Sequence, residues 1–247
     1  MVPAMPSTTP CDVCPHCGRP YRTIEIPAFL GIPSRTIQSS ECDCPGAVAE
    51  RRRIKREERQ DALRKAWAAT GVPERYKDVS PDYDALERIE STGNGLYICG
   101  PRGTGKTTHA CEILKAYVSR HTRDDGWCSA RFVSVAEWLD KIQDTYGSRA
   151  SAEDVFAMAS GPKFIVLDDM GKVNSRISDW TVGKLFRLIY DRDGARKTTI
   201  VTSQYRLSGL SERLTTGNDV DTPDAIVSRL FEMCEQKLFD GADMRMA

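Results

Sequence analysis

"GLYICGPRGTGKTTH" runs from Gly95 to His109, and its reading decides the fold. A short apolar run leads into a glycine-rich loop, and helix-forming residues follow. The spacing of Gly100, Gly105, Lys106 and Thr107 matches the P-loop pattern Gly-x-x-x-x-Gly-Lys-Thr without a mismatch. Phosphates need backbone N–H groups turned inward around them. Glycine permits that path, and the following helix adds its positive end. Gly100, Pro101, Arg102, Gly103, Thr104, Gly105 and Thr108 are therefore expected to surround the phosphates of ATP. Lys106 should reach the β and γ phosphates, and the Thr107 hydroxyl should bind Mg2+.

Working outward, the chain from about Gly71 alternates apolar strands with helices. "ARFVSV", "KFIVLDD" and "TTIVTS" read as strands beside "GLYICG". Helices are expected over 106–119, 136–146, 179–190 and 222–233, with "CEQKLFD" as a last short strand. Strands apolar on both faces, separated by helices, indicate a parallel sheet sandwiched by helices. Asp168 ends the third of these strands, where its carboxylate would meet Mg2+. Asp169 is the candidate for polarising the attacking water, with a side chain one methylene shorter than the glutamate many ATPases use, so turnover should be slow without a partner. Gln204, just beyond the fourth strand, stands at the same end of the sheet. It would orient the water or sense the γ-phosphate, or else serve only as a loop or cap residue.

The formal net charge is zero, so any nucleic-acid surface must be local. No run of eighteen apolar residues exists and the first residues lack a signal pattern, so no membrane partner and a cytoplasmic site are expected. Residues 47–69 read as a helix with eight basic and four acidic residues, either a solvated linker or a contact for a partner or nucleic acid. Its apolar face is assigned to Ala62, Ala66 and Ala69 with Leu63 and Trp67.

Nine cysteines are unevenly spread, five of them within the first 44 residues. "CDVCPHCG" at 11–18 is followed by "CDC" at 42–44. Zinc takes four tetrahedral thiolate or imidazole ligands, which Cys14, Cys17, Cys42 and Cys44 can supply. Cys11 has the same spacing to Cys14 and competes for a place, while His16 should point away. Bound Zn2+ would give so short a segment the folding energy it lacks.

These motifs in this order resemble the AAA+ ATPases of the replicative helicase-loader type, the DnaC/DnaI and IstB-like group. The likeness covers about 71–247. It rests on "GVPERY" (71–76), "GPRGTGKT" (100–107), "IVLDDMG" (165–171), "TIVTSQY" (199–205), "IVSRL" (226–230) and "GADMR" (241–245). The resemblance implies a P-loop (AAA+) α/β domain with a zinc-binding segment at 1–46, a basic linker helix at 47–70 and no C-terminal lid domain. It implies that Val72, Pro73 and Tyr76 pack the adenine edge. Arg229 would be the arginine finger reaching a neighbouring subunit's ATP, with Arg213 as runner-up. Arg245 would sense the γ-phosphate within its own subunit. Gln204 stands where asparagine is commoner in the group. The partners implied are the replicative hexameric DNA helicase, gripped by the zinc segment, single-stranded DNA, and further copies of the chain on ATP and DNA binding. Arg176 and Lys172 are candidate DNA contacts. Two other readings share this core, a transposition helper ATPase assembling on duplex DNA and a low-turnover nucleotide-gated adaptor.

Overall fold

The computed structural model describes residues 13–28, 33–39, 41–146, 151–172, 177–217, 219–241 and 243. The chain divides into two compact units, Met1–Asp61 and Ala62–Ala247. In the first, β1 (Thr23–Ile26) and β2 (Arg35–Gln38) form an antiparallel hairpin with Ile24 opposite Ile37. α1 (Pro45–Ala69) begins in this unit and ends in the second. Ala62, Ala66 and Thr70 are buried, whereas Ala69 is exposed. The buried stripe thus follows steps of four, which continue to Thr70, and Ala69 falls outside it.

The second unit continues with α2 (Tyr83–Thr92), β3 (Gly95–Cys99), α3 (Lys106–His121), β4 (Ala130–Ser134), α4 (Val135–Asp144) and α5 (Ala152–Ser160). Then come β5 (Phe164–Met170), α6 (Asp179–Gly194), β6 (Thr198–Ser203), α7 (Leu207–Leu214), α8 (Asp221–Met233) and β7 (Cys234–Leu238). Side-chain hydrogen bonds fix several helix starts. Asp82 accepts from the Ala85 N–H, and Ser178 accepts from the Thr181 N–H.

The five core strands form one parallel sheet in the order β4-β5-β6-β3-β7. Alternate residues of β5 go to opposite faces, which explains its continuous apolar run. Phe164 and Val166 join the cluster under α2 and α3, and Ile165 and Leu167 join the cluster under α4 to α8. The order places β6, a hundred residues later in the chain, beside β3, with Ser203 opposite Cys99. The loops leaving these two strands therefore start side by side, at a point where the order of connections reverses.

At the opposite end of the sheet Arg192 is wholly buried. Its guanidinium donates to the carbonyls of Ala159 (3.1 Å), Pro162 (2.9 Å) and Thr198 (2.7 Å) and to Thr199 Oγ1 (2.9 Å). Lys197 donates to the carbonyl of Ser160 at 2.7 Å. Two cations thus occupy the C-terminal end of α5, where unpaired carbonyls and the helix dipole favour positive charge. Among the described residues, no helix is long and apolar enough to cross a membrane.

Candidate nucleotide site

The loop between β3 and α3 keeps its shape through its glycines. Gly100 and Gly103 have φ of 145° and 76°. A Cβ on Gly100 would run into the carbonyl of Phe239, and one on Gly103 into the Asp243 carboxylate. The chain after β7 thus passes directly along the loop, with the Phe239 N–H donating to the Cys99 carbonyl at 2.8 Å. Beneath the loop opens a cavity of about 340 Å3, lined by residues 102–108 with Asp168, Asp169, Gln204, Tyr76, Arg75 and Lys172.

Lys106 is buried, and its Nζ donates to the Pro101 carbonyl and, at 3.5 Å, to Thr104 Oγ1. Its charge is thus folded back on the loop, within the volume that phosphates would fill. Thr107 Oγ1 donates to Asp168 Oδ1 at 2.8 Å, joining the first turn of α3 to the end of β5. Thr202 Oγ1, from β6, donates to the same carboxylate oxygen at 2.6 Å. Burial pushes the Asp168 carboxyl above the usual carboxylate range, against the two hydroxyls, which favour the ionised form. A buried carboxylate beside a threonine hydroxyl is an oxygen donor set suited to Mg2+.

A bulge makes this arrangement. Leu167 pairs with Val201 and Met170 with Ser203, so Asp168 and Asp169 together oppose Thr202. Asp169 takes a left-handed backbone with φ of 58°, a conformation Asp tolerates better than most residues. Its N–H donates to Thr202 Oγ1 at 3.0 Å, so one hydroxyl holds both bulged residues. Asp169 Oδ2 accepts from Lys172 Nζ at 3.3 Å. Arg102 Nε, on the same cavity lining, donates to Gln204 Oε1 at 2.9 Å.

The structure brings together Lys106, Thr107, Asp168, Asp169, Gln204 and Tyr76 around one cavity. Val72 lies in the core under α3, and Pro73 lines a separate hollow beside β4. Arg229 stands on α8, outside its own chain's cavity. Its guanidinium lies over the rings of Tyr190 (5.1 Å) and Phe186 (5.7 Å) of α6, and its buried Nε has no acceptor. Arg213 ends α7. Arg245, Arg176 and Cys11 lie outside the described residues. Two residues that shape the site were not anticipated from the sequence. Arg75 sits within "GVPERY", its guanidinium 4.6 Å from the Tyr76 ring centre. Thr202 reads as an ordinary strand residue, because only the bulge reveals its partners.

In the first unit, Cys14, Cys17, Cys42 and Cys44 converge, with all four sulfurs within 4.8 Å of one another. Cys14 Sγ is 3.8 Å from Cys44 Sγ, and Cys17 Sγ is 3.6 Å from Cys42 Sγ. Tetrahedral zinc with Zn–S bonds near 2.3 Å sets neighbouring sulfurs about 3.8 Å apart, so the set fits that ion. The Gly18 N–H closes a turn onto the Cys14 carbonyl at 2.8 Å, and the Ala47 N–H donates to Cys44 Sγ at 3.4 Å. Burial opposes ionisation of Cys14, but N–H groups of His16 and Cys17 and the neighbouring thiols outweigh it, bringing its pKa down to about 6. His16 packs against Gly46 instead of joining the sulfurs.

The family model described as IstB-like ATP binding protein matches residues 70–247. No curated protein matches. Among solved structures, a crystal structure of the DnaC helicase loader superposes with a TM-score of 0.53 at 21% identity, over 68% of this chain and 100% of that one. A crystal structure of DnaI gives 0.52 at 19% identity, over 74% and 92% respectively. At these identities the likeness is one of fold. With the P-loop, the parallel sheet and the family match in place, the chain belongs to the IstB-like ATP binding proteins and is a P-loop ATPase of the AAA+ type.

Proposed function

We infer that this ATPase is a loader of the replicative hexameric DNA helicase, and that it helps place that ring on single-stranded DNA. The observation that carries the reading is one chain's combination of an ATPase unit, shared in fold with a DnaC helicase loader, and a separate four-cysteine unit. In this reading Zn2+ held by Cys14, Cys17, Cys42 and Cys44 stabilises the first unit. Ile24 and Ile37, opposite each other and 50% and 41% exposed, give that unit an apolar surface for the helicase.

ATP binding draws Lys106 off the Pro101 carbonyl and onto the β and γ phosphates. Thr107 and Asp168 supply oxygen donors for Mg2+, which when bound offsets the charge that builds on the phosphates. Asp169 polarises the attacking water once Lys172 releases it, and Gln204 offers its amide N–H to that water. Arg229, over the Tyr190 and Phe186 rings, completes the site of an adjoining copy in a homo-oligomer. Arg245 senses the γ-phosphate from its own chain. Tyr76 contributes the base-facing wall. Lys172 and Arg176 give backbone contacts to DNA.

A second reading, a transposition helper assembling on duplex DNA, is favoured by the match to the IstB-like model over 70–247. Native mass measurement with the replicative helicase separates the two. It is run with ATP and Mg2+, with and without single-stranded DNA, beside Lys106→Ala. A defined co-complex whose nucleotide dependence disappears in Lys106→Ala supports the loader. Filaments on duplex DNA with no helicase complex support the helper.

A further inference from the structure

Arg102 occupies the third position of the glycine loop, three residues beyond Cys99, and Gln204 follows Ser203 directly. Because Cys99 and Ser203 are paired neighbours, the two side chains meet at the ends of adjacent strands. Both line the cavity, and Arg102 Nε donates to Gln204 Oε1 at 2.9 Å. The other cations of the cavity are engaged differently. Lys106 is turned onto oxygens of its own loop, Lys172 is paired with Asp169, and Arg75 lies over the Tyr76 ring. Among the described residues, Arg102 makes no ion pair, and neither of its terminal amino groups makes a hydrogen bond. Its one partner is an uncharged amide, so its full positive charge remains available inside an anion-binding cavity.

We propose that Arg102 reads the terminal phosphate of ATP, and that Gln204 is the residue that positions it. The inference rests on the nucleotide reading of the cavity. Guanidinium geometry allows both contacts at once, since Nε–H points one way and the two amino groups fork another. Gln204 therefore keeps its hold on Nε while the fork meets phosphate oxygens. The reacting phosphate must lie within reach of Lys106, Thr107, Asp168 and Asp169, which line the same cavity as Arg102 and Gln204. A diphosphate offers the fork no acceptor there. Arg102 thus discriminates between tri- and diphosphate, and the neutral amide matters because a carboxylate at 204 would quench the charge.

The test is calorimetric titration of the full chain with Mg2+ and either ADP or the β,γ-imido analogue of ATP. Arg102→Met should weaken the analogue by about 10- to 100-fold and ADP by less than about threefold, the value of a charge-assisted contact made by one ligand only. Gln204→Ala should lower the same ratio by a smaller factor, and Gln204→Glu should mimic Arg102→Met by pairing with the guanidinium. The double variant Arg102→Met/Gln204→Ala should be no worse than Arg102→Met alone, because the two act through one contact. Melting curves check that each variant is folded, as expected for an exposed loop residue. Equal losses for both nucleotides, or none for the analogue, overturn the assignment of Arg102. Additive losses in the double variant overturn the role of Gln204. Failure of the wild-type chain to bind either nucleotide overturns the nucleotide reading itself, and this inference with it.

Discussion

Thr202→Val isolates one hydroxyl on which the acidic end of the site depends. Thr202 Oγ1 donates to Asp168 Oδ1 at 2.6 Å and accepts from the Asp169 N–H at 3.0 Å. Valine keeps the shape and the strand preference but does neither. Losing a hydrogen bond to a carboxylate costs about 1.5–3 kcal/mol, and stranding the part-buried N–H costs about 1–3 kcal/mol more. The added methyl returns about 1 kcal/mol, leaving a net destabilisation of about 1.5–5 kcal/mol. The pH dependence has a definite sign. Burial already holds the Asp168 carboxyl above its ordinary range, and the lost hydroxyl was opposing that shift, so the variant's value rises further. A carboxyl raised in the folded state binds more protons there than in the unfolded chain, so its contribution to stability falls as pH rises through that window. The deficit of Thr202→Val should therefore be smaller in acid and grow toward neutrality, and the acid limb of the ATPase profile should move to higher pH. Urea unfolding across pH and the Mg2+ dependence of turnover measure both effects, with Thr202→Ser as the rescue. Stability within about 1 kcal/mol of wild type at neutral pH, with unchanged Mg2+ half-saturation, would refute the argument.

Arg192→Met should lower unfolding stability by about 3–5 kcal/mol, because three carbonyls lose their donor while a buried charge is removed; urea midpoints measure it, and Arg192→Lys should recover part. Chelation of zinc should abolish hydrogen-exchange protection over 13–28 and 33–39 while leaving protection of the five-stranded sheet intact, and protection unchanged in a chelator would remove the metal from the account. Chains carrying Arg229→Ala and chains carrying Lys106→Ala, each without turnover alone, should recover ATPase activity when mixed; continued inactivity of the mixture would place Arg229 outside the chemistry.

The sequence by itself determined the ATPase. The glycine loop has a steric requirement that few other residue patterns meet, and continuous apolar strands separated by helices leave little choice but a parallel sheet covered on both faces. The four cysteines were legible for a similar reason, since thiolate chemistry restricts where such spacing is useful. The β1–β2 hairpin, α2, α5 and α7 went unread, being short elements whose local preferences are weak and whose apolar faces are completed by distant neighbours. Only the tertiary structure decided which residues share the cavity. The register shift between β5 and β6 turns Thr202 into the anchor of two aspartates, and the pairing of β3 with β6 brings Arg102 to Gln204 across a separation of about a hundred residues. Passage of the chain after β7 along the glycine loop likewise makes Gly100 and Gly103 necessary for packing as well as for phosphates. Local sequence carries backbone preference and side-chain chemistry, whereas strand order and register are set by burial summed over the whole sheet, and it is these that fix the distances between functional groups.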